Sequence, residues 1–398
     1  MLYIAVLLAL LSVMMPLNSH RNNLPRRKFL RRGVGTLCSL GMAGQLAAKD
    51  NSPLQTARLG LIKAKRSPWF KALENGSISC ELCPRRCRLA PGQRGFCRVR
   101  ENREGECYTL VYGNPALIQN DPIERKPFFH VLPGSRALSI STAGCNMECK
   151  FCEVWDMALV APEEVYAYDV PPHAVVRYAR EANAQSISYA FGEPVVFYEY
   201  VHSIATHAKN DSLLNLLHTN GYISPSPLKA LCDRLDAVNL DLKAFDDTFY
   251  RDICGGELNP VLASLQLLNK EGIHVEITNI LIPSMNDHPD TLRKMCRWIC
   301  HELGPNVPLH FGRFYPLYKL ANLPPTPVST LERSREIAME EGLKFVYLAR
   351  VAGHKAESTF CPNCGTAVIE RLGFVVENNL LKDGKCPCGE PVPGRWKA

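Results

Sequence analysis

Cys145, Cys149 and Cys152 place three thiols within eight residues, at spacings of four and then three. A disulfide between such near neighbours would constrain little chain. Thiolates at these spacings can instead wrap a metal, and one short loop can supply several ligands to an iron–sulfur cluster. Two further groups have the same character. Cys80-x2-Cys83-x3-Cys87-x9-Cys97 offers four ligands, enough for tetrahedral zinc or for a second cluster. Cys361-x2-Cys364 and Cys386-x-Cys388 read as the two arms of a zinc ribbon, the second arm one residue shorter than the usual pattern. Stapling a small segment is the favoured role for the ribbon, ahead of docking or regulation. Cys232, Cys254, Cys296 and Cys300 are scattered and read as small buried apolar residues.

The elements that must carry these thiols alternate between strand and helix patterns from about residue 131. Strand-like runs occupy 137–143, 186–192, 213–219, 237–243, 275–282 and 307–314, with amphipathic segments between them. Parallel βα units follow from that alternation. Six are too few to close an eight-fold barrel, so the expected fold is α/β, a partial (β/α)6 TIM-like barrel with a Cys-rich N-terminal extension and a zinc-ribbon-like C-terminal segment. Chemistry in such folds sits on the loops after the strands. The cysteine loop, Phe191-Gly192-Glu193-Pro194, His218 to Tyr222 and Asp241 to Asp246 all fall at those positions. The expected layout is a leader over 1–50, a linker with a short helix and then the Cys-rich segment over 51–130, the barrel over 131–352 and the ribbon over 353–398. Residues 80–113 are turn-rich and lack the apolar periodicity for a core of their own.

The motif Cys145-x3-Cys149-x2-Cys152 resembles the signature of the radical S-adenosylmethionine (SAM) superfamily. The resemblance extends, in order, through "CELCPRRCRLAPGQRGFCRVREN", "LVYGNPALIQNDPIERKPFFHVLPGS", "STAGCNMECKFC", "HTNGY", "NLDLKAF", "NILIPSMND", "LHFGRFYP" and "LPPTPVSTLERSREIAMEEGLKFVYLA". It is nearest to the radical SAM enzyme of the AmmeMemoRadiSam system, itself similar to pyruvate formate-lyase activating enzymes. Two stretches differ from that branch: Cys152-Glu153-Val154 stands where Cys-Gln-Asn is usual, and Phe191-Gly192-Glu193-Pro194 where Tyr-Asn-Glu-Pro is usual. The resemblance implies that Cys145, Cys149 and Cys152 hold three irons of a [4Fe-4S] cluster and that the fourth iron binds SAM. Reductive cleavage would then give a 5′-deoxyadenosyl radical that abstracts hydrogen from a substrate. It also implies a SAM-binding set of Gly192, Glu193, Thr219, Asp241, Lys243 and His310, the last placed near the end of the sixth strand. Glu193 is expected to act through the geometry of its turn. A one-electron donor such as a flavodoxin or ferredoxin is the implied partner. The substrate, small molecule or protein, stays open, and so does a role as an activase that installs a glycyl radical on a partner.

The 398 residues are 46% hydrophobic and 21% charged, the balance of an ordinary globular protein. Much of the +7 net charge lies in Arg21, Arg26, Arg27, Lys28, Arg31 and Arg32, which leaves the body nearly balanced. No nucleic-acid partner is expected, because the barrel segment lacks a basic face with interleaved aromatics. A non-catalytic iron–sulfur or zinc protein would explain the cysteines but not the other motifs. Arg26-Arg27-x-Phe29-Leu30, followed by a mild apolar run and a small-residue stretch, resembles a twin-arginine export signal. Export to the periplasm is the expectation, a cytoplasmic enzyme with an extended start the alternative.

Overall fold

Strands buried on both faces read as almost unbroken apolar or small-residue runs, and parallel sheets wrapped by helices are built from them. Ser186–Tyr189, for example, is buried at all four positions. The computed structural model describes residues 56–397, so the leader and its arginine pair lie outside the described residues. Its centre is one eight-stranded sheet: β1 (Leu117–Pro122), β2 (Arg136–Ser141), β3 (Ser186–Tyr189), β4 (Leu214–Thr219), β5 (Ala237–Asp241), β6 (His274–Leu281), β7 (Leu309–Arg313) and β8 (Val346–Ala349). Spatial order follows chain order from β1 to β8. Neighbours from β2 to β8 pair in parallel, whereas β1 runs antiparallel along β2. The sheet does not close into a barrel.

Six helices cross between the parallel strands: α1 (Pro172–Glu181), α2 (Tyr198–Asn210), α3 (Pro225–Cys232), α4 (Leu258–Lys270), α5 (Pro289–Glu302) and α6 (Val328–Glu340). Proline opens α1, α3 and α5, where its missing N–H costs nothing and its fixed φ suits the first turn. The six expected βα units are therefore present, and β8 adds a seventh parallel strand that the sequence reading did not separate. It is four residues long and follows directly on the α6 turn. β1 escaped as well, because Gln119, Asn120 and Asp121 interrupt its apolar pattern.

Side-chain alternation gives the sheet two faces. Leu138, Ile140, Ile187, Leu217, Val238, Leu240 and Ile277 join the helices in the main core. On the concave face Ala137, Leu216 and Ala237, near the strand starts, meet Ile123, Phe128 and Val131, which plug that end. Farther along the same face the residues turn polar: Ser139, Ser188, His218, Asn239 and Thr278.

Each cysteine-rich segment packs on the sheet domain. The N-terminal one forms two small antiparallel sheets, Phe70–Ala72 with Ile78–Cys80 and Arg88–Leu89, and Lys65–Arg66 with Glu106–Thr109 and Arg100–Arg103. Short strands and a single turn at Glu74–Gly76 occupy 56–76, in place of the linker with a short helix. Ile78, Leu82, Leu89, Val99 and Val111 enter the main core, which answers the lack of an independent core in this segment. The C-terminal one is a three-stranded antiparallel sheet of Thr359–Phe360, Ala367–Leu372 and Val375–Asn379. Val368 and Ile369 are fully buried against Phe129, Phe345 and Tyr347, each such side chain contributing about 1.5–3 kcal/mol.

Candidate active site

The chain leaves β2 through Thr142 and Ala143 and turns at Gly144, whose φ of +96° favours glycine. A Cβ here would also stand 2.7 Å from the Cys97 carbonyl oxygen and from Val99 Cγ1. Cys145, Cys149 and Cys152 follow on the loop, all free thiols. The loop is clamped from two sides. Asn146 Nδ2 donates to the Tyr222 carbonyl (2.6 Å), and Asn220 Nδ2 donates to Asn146 Oδ1 (2.9 Å). Behind it, the Glu148 and Lys150 amides donate to the Cys254 and Ile253 carbonyls, both at 2.9 Å. Gly255 and Gly256 permit that approach, since a Cβ on either would come within 3.0 Å of Glu148 or Met147.

Three neighbouring strand ends converge on this loop. After β3, Phe191 sits at φ +71°, a region costly for an aromatic residue. The Gly192 amide then donates to Ser141 Oγ (2.9 Å), and a Cβ on Gly192 would meet that oxygen at 2.4 Å. Glu193 is buried and accepts three hydrogen bonds, from the Val195 amide (3.0 Å), Thr219 Oγ1 (2.6 Å) and the Asn220 amide (2.8 Å). Its carboxylate thus ties the end of β3 to the end of β4, a fuller role than turn geometry alone. Burial pushes its pKa above the usual value. After β5, Asp241 accepts from His218 Nε2 (2.9 Å) and from Lys243 Nζ (3.0 Å). Burial acts against ionisation of Asp241, but the charges of Lys243 and His218 prevail and hold its pKa below the usual range.

Gly192, Glu193, Thr219, Asp241 and Lys243 are therefore gathered around the cysteine loop. Burial first, then the Glu193 carboxylate, push the Cys145 thiol well up, and burial carries Cys152 to about 12. Cys145 Sγ accepts from the Met147 amide (3.4 Å) and Asn220 Nδ2 (3.9 Å). His310 departs from expectation. It is the second residue of β7, near the strand's start, fully buried and bonded through Nε2 to Glu276 Oε2 at 2.6 Å. Its ring packs edge-on against Phe129 and stacks on Tyr347, so it belongs to the plug at the opposite end of the sheet.

Cys254 was read as a buried apolar residue; it is buried, but its thiol hydrogen-bonds Cys149 and lowers that thiol's pKa. The pair of glycines after it was the available signal, marking a close approach of two backbones. His218 was within reach of the same reasoning, since it alternates with Leu216 on the concave face. The Arg350 guanidinium pairs with Glu153, one of the residues that differ from the related branch.

The outer cysteine groups differ in geometry. Cys361, Cys364, Cys386 and Cys388 bring their sulfurs within 4.8 Å of one another, with Cys361–Cys388 and Cys364–Cys386 at 3.6 Å. A tetrahedral ion with Zn–S bonds of about 2.3 Å holds its sulfurs about 3.8 Å apart. Among the described residues no other trio of potential ligands is drawn together so tightly. Cys145, Cys149 and Cys152 are thus spread more widely than one ion requires, as suits a cube that carries its thiolates on separate irons. Three free thiols from one loop, with N–H donors aimed at Cys145 and the Lys243 ammonium beside Cys149, fit such a cluster.

The sequence profile of the radical SAM superfamily matches residues 139–298, the span from β2 into α5. An uncharacterized protein of Methanocaldococcus jannaschii is 40% identical over 331 residues, covering 82% of this chain and 98% of its own length. The pyruvate formate-lyase-activating enzyme of Clostridium pasteurianum is 22% identical over 227 residues, covering 53% of this chain and 91% of its own. A solved radical SAM methyltransferase from Sphaerobacter thermophilus superposes with a TM-score of 0.45 at 16% identity, over 56% of this chain and 70% of its own. With the profile falling on the cysteine loop and the strand ends around it, the chain belongs to the radical SAM superfamily and is an enzyme of that kind.

Proposed function

We propose that Cys145, Cys149 and Cys152 ligate a [4Fe-4S] cluster and that Gly192, Glu193, Thr219, Asp241 and Lys243 line the adjoining SAM site. The observation that carries this reading is the convergence of three free thiols with a glutamate, an aspartate and a lysine at adjoining strand ends. When bound, cluster and SAM supply one-electron chemistry that ends in hydrogen abstraction from a substrate. The chain's own part is positioning and exclusion. Glu193 fixes the β3 and β4 ends against each other, and His218 and Lys243 hold Asp241 from two sides. Met147 and Phe151 are buried beside the cysteines and keep water from the loop's inner face. The C-terminal tetrad is proposed to take zinc and to staple its ribbon. A flavodoxin- or ferredoxin-like protein is the proposed electron source, and the AmmeMemoRadiSam branch the proposed affiliation.

A second reading, an activase acting on a partner protein, is supported by similarity to the Clostridium pasteurianum activating enzyme over most of that enzyme's length. Both readings share one test. Anaerobically reconstituted protein should show an iron–sulfur spectrum that changes on addition of SAM and should release 5′-deoxyadenosine under reduction. The Cys145→Ala/Cys149→Ala/Cys152→Ala variant should do neither. Release of 5′-deoxyadenosine by that variant defeats the assignment.

A further inference from the structure

We propose that Cys80, Cys83, Cys87 and Cys97 hold a second iron–sulfur cluster, a [4Fe-4S] cube, in place of zinc. All four line one cavity of about 20 Å³, together with Arg100 and Asn146. That is room for a water-sized body against the four cysteines, since roughly 10–15 Å³ suffices for one. A zinc ion bonded to four sulfurs at about 2.3 Å leaves no such space. The spacing of the sulfurs points the same way. The C-terminal cysteines draw together to within 4.8 Å, whereas no three of these four do. They share that wider spread with Cys145, Cys149 and Cys152.

An independent observation comes from Arg100. Its side chain is buried, and its Nη2 is spent on both Glu199 oxygens, at 2.6 and 2.7 Å. Nη1 lies 3.9 Å from the sulfur of Cys107, a fifth buried cysteine that hydrogen-bonds Cys80. The remaining Nε–H has no hydrogen-bond partner. Arg100 lines the cavity and keeps one buried N–H without an acceptor, which costs about 1–3 kcal/mol unless a bound group supplies one. Cluster sulfides and thiolates are such acceptors, and hydrogen bonds to them help to set a cluster's properties.

Position adds meaning to the site. Asn146 lines this cavity and is the residue next to Cys145. Arg85, on the loop between Cys83 and Cys87, donates from Nε to the Asn146 carbonyl (2.6 Å) and from Nη2 to the Gly255 carbonyl. The Cys97 carbonyl lies against Gly144. One loop therefore separates the two cysteine centres.

The test uses the full chain carrying Cys145→Ala, Cys149→Ala and Cys152→Ala, purified and reconstituted without oxygen, with iron, acid-labile sulfide and zinc counted per chain. About four iron, four sulfide and one zinc are expected, with an electron paramagnetic resonance signal on reduction. Adding Cys83→Ser and Cys97→Ser should remove the iron and sulfide while the ribbon's zinc remains, which reports that the chain is still folded. About two zinc with no labile sulfide, about one zinc and no iron, or iron that survives the added substitutions would each overturn the proposal. Because the catalytic thiols are absent from both variants, the outcome does not depend on the SAM-site reading.

Discussion

Asp241 stands between two donors, His218 and Lys243, and accepts from the Lys243 ammonium at 3.0 Å. Asp241→Ala leaves that ammonium unpaired, and Lys243→Ala frees one carboxylate oxygen; neither removes a cysteine. Both variants should keep the iron content of the parent and bind SAM more weakly by about 1–3 kcal/mol, the usual worth of a charge-assisted bond. Iron analysis and SAM titration on the same samples check this, and unchanged affinity in both would reduce the pair to an internal ion pair. The acid response has a definite sign. Asp241 is held below its unfolded value of about 3.9, so its contribution is complete above that pH and is lost as pH falls through the folded value. Glu193 carries a second prediction. A glutamine there must turn its NH2 toward a donor, the Asn220 amide or the Thr219 and Val195 pair. Glu193→Gln should therefore destabilise the fold by about 1–3 kcal/mol in urea unfolding, where turn geometry alone would predict almost no change.

At the scale of elements, the end of the sheet opposite the cysteine loop is closed by a chain of hydrogen bonds with one direction. The Pro393 carbonyl can only accept, so His130 Nδ1 carries the proton that bonds it at 2.5 Å. His130 Nε2 must then accept from the Tyr347 hydroxyl (2.6 Å), which leaves Thr359 to donate to Tyr347 (3.0 Å) and to accept from Arg371 (2.9 Å). Plug, sheet and ribbon are joined by this chain, and Arg371 also donates to the Phe129 carbonyl at 2.7 Å. None of it was legible in the sequence, because its members are separated by up to 263 residues and carry no shared spacing. The six βα units and the cysteine loop were legible, since periodicity and short-range spacing encode them locally. Cys254, β1 and β8 lie between these cases: each has a local trace, but tertiary packing decides it. Burial pushes His130 down to about 3. The folded state therefore keeps it neutral while the unfolded chain takes up a proton below about 6.5, and stability falls as pH drops from about 6.5 toward 3, by up to about 1.4 kcal/mol per unit. His130→Gln should flatten that slope; urea unfolding at a series of pH values, parent against variant, measures it. Parallel curves would show that His130 does not titrate on unfolding.

Across the whole molecule, the three cysteine centres divide between the two ends of one sheet. The N-terminal group packs against the catalytic loop, and the C-terminal tetrad sits beside the plug at the strand starts. The segments that carry the outer groups are tied to the rest of the chain by contacts between distant residues, such as Arg85 with Gly255 and Arg371 with Phe129, so loading of the proposed centres would go with folding. Among the described residues no helix is long and apolar enough to cross a membrane. These features bear on the proposal that Arg26-Arg27 belongs to a twin-arginine export signal. A protein whose centres are assembled with the fold is suited to a pathway that carries folded cargo, and unsuited to threading as an unfolded chain. Residues 1–50 fused to a reporter that is active only when exported in folded form should therefore give activity. Arg26→Lys with Arg27→Lys should abolish it, because the arginine pair is the feature that pathway reads. A preserved signal in the lysine variant, or no signal from either fusion, would overturn the twin-arginine reading.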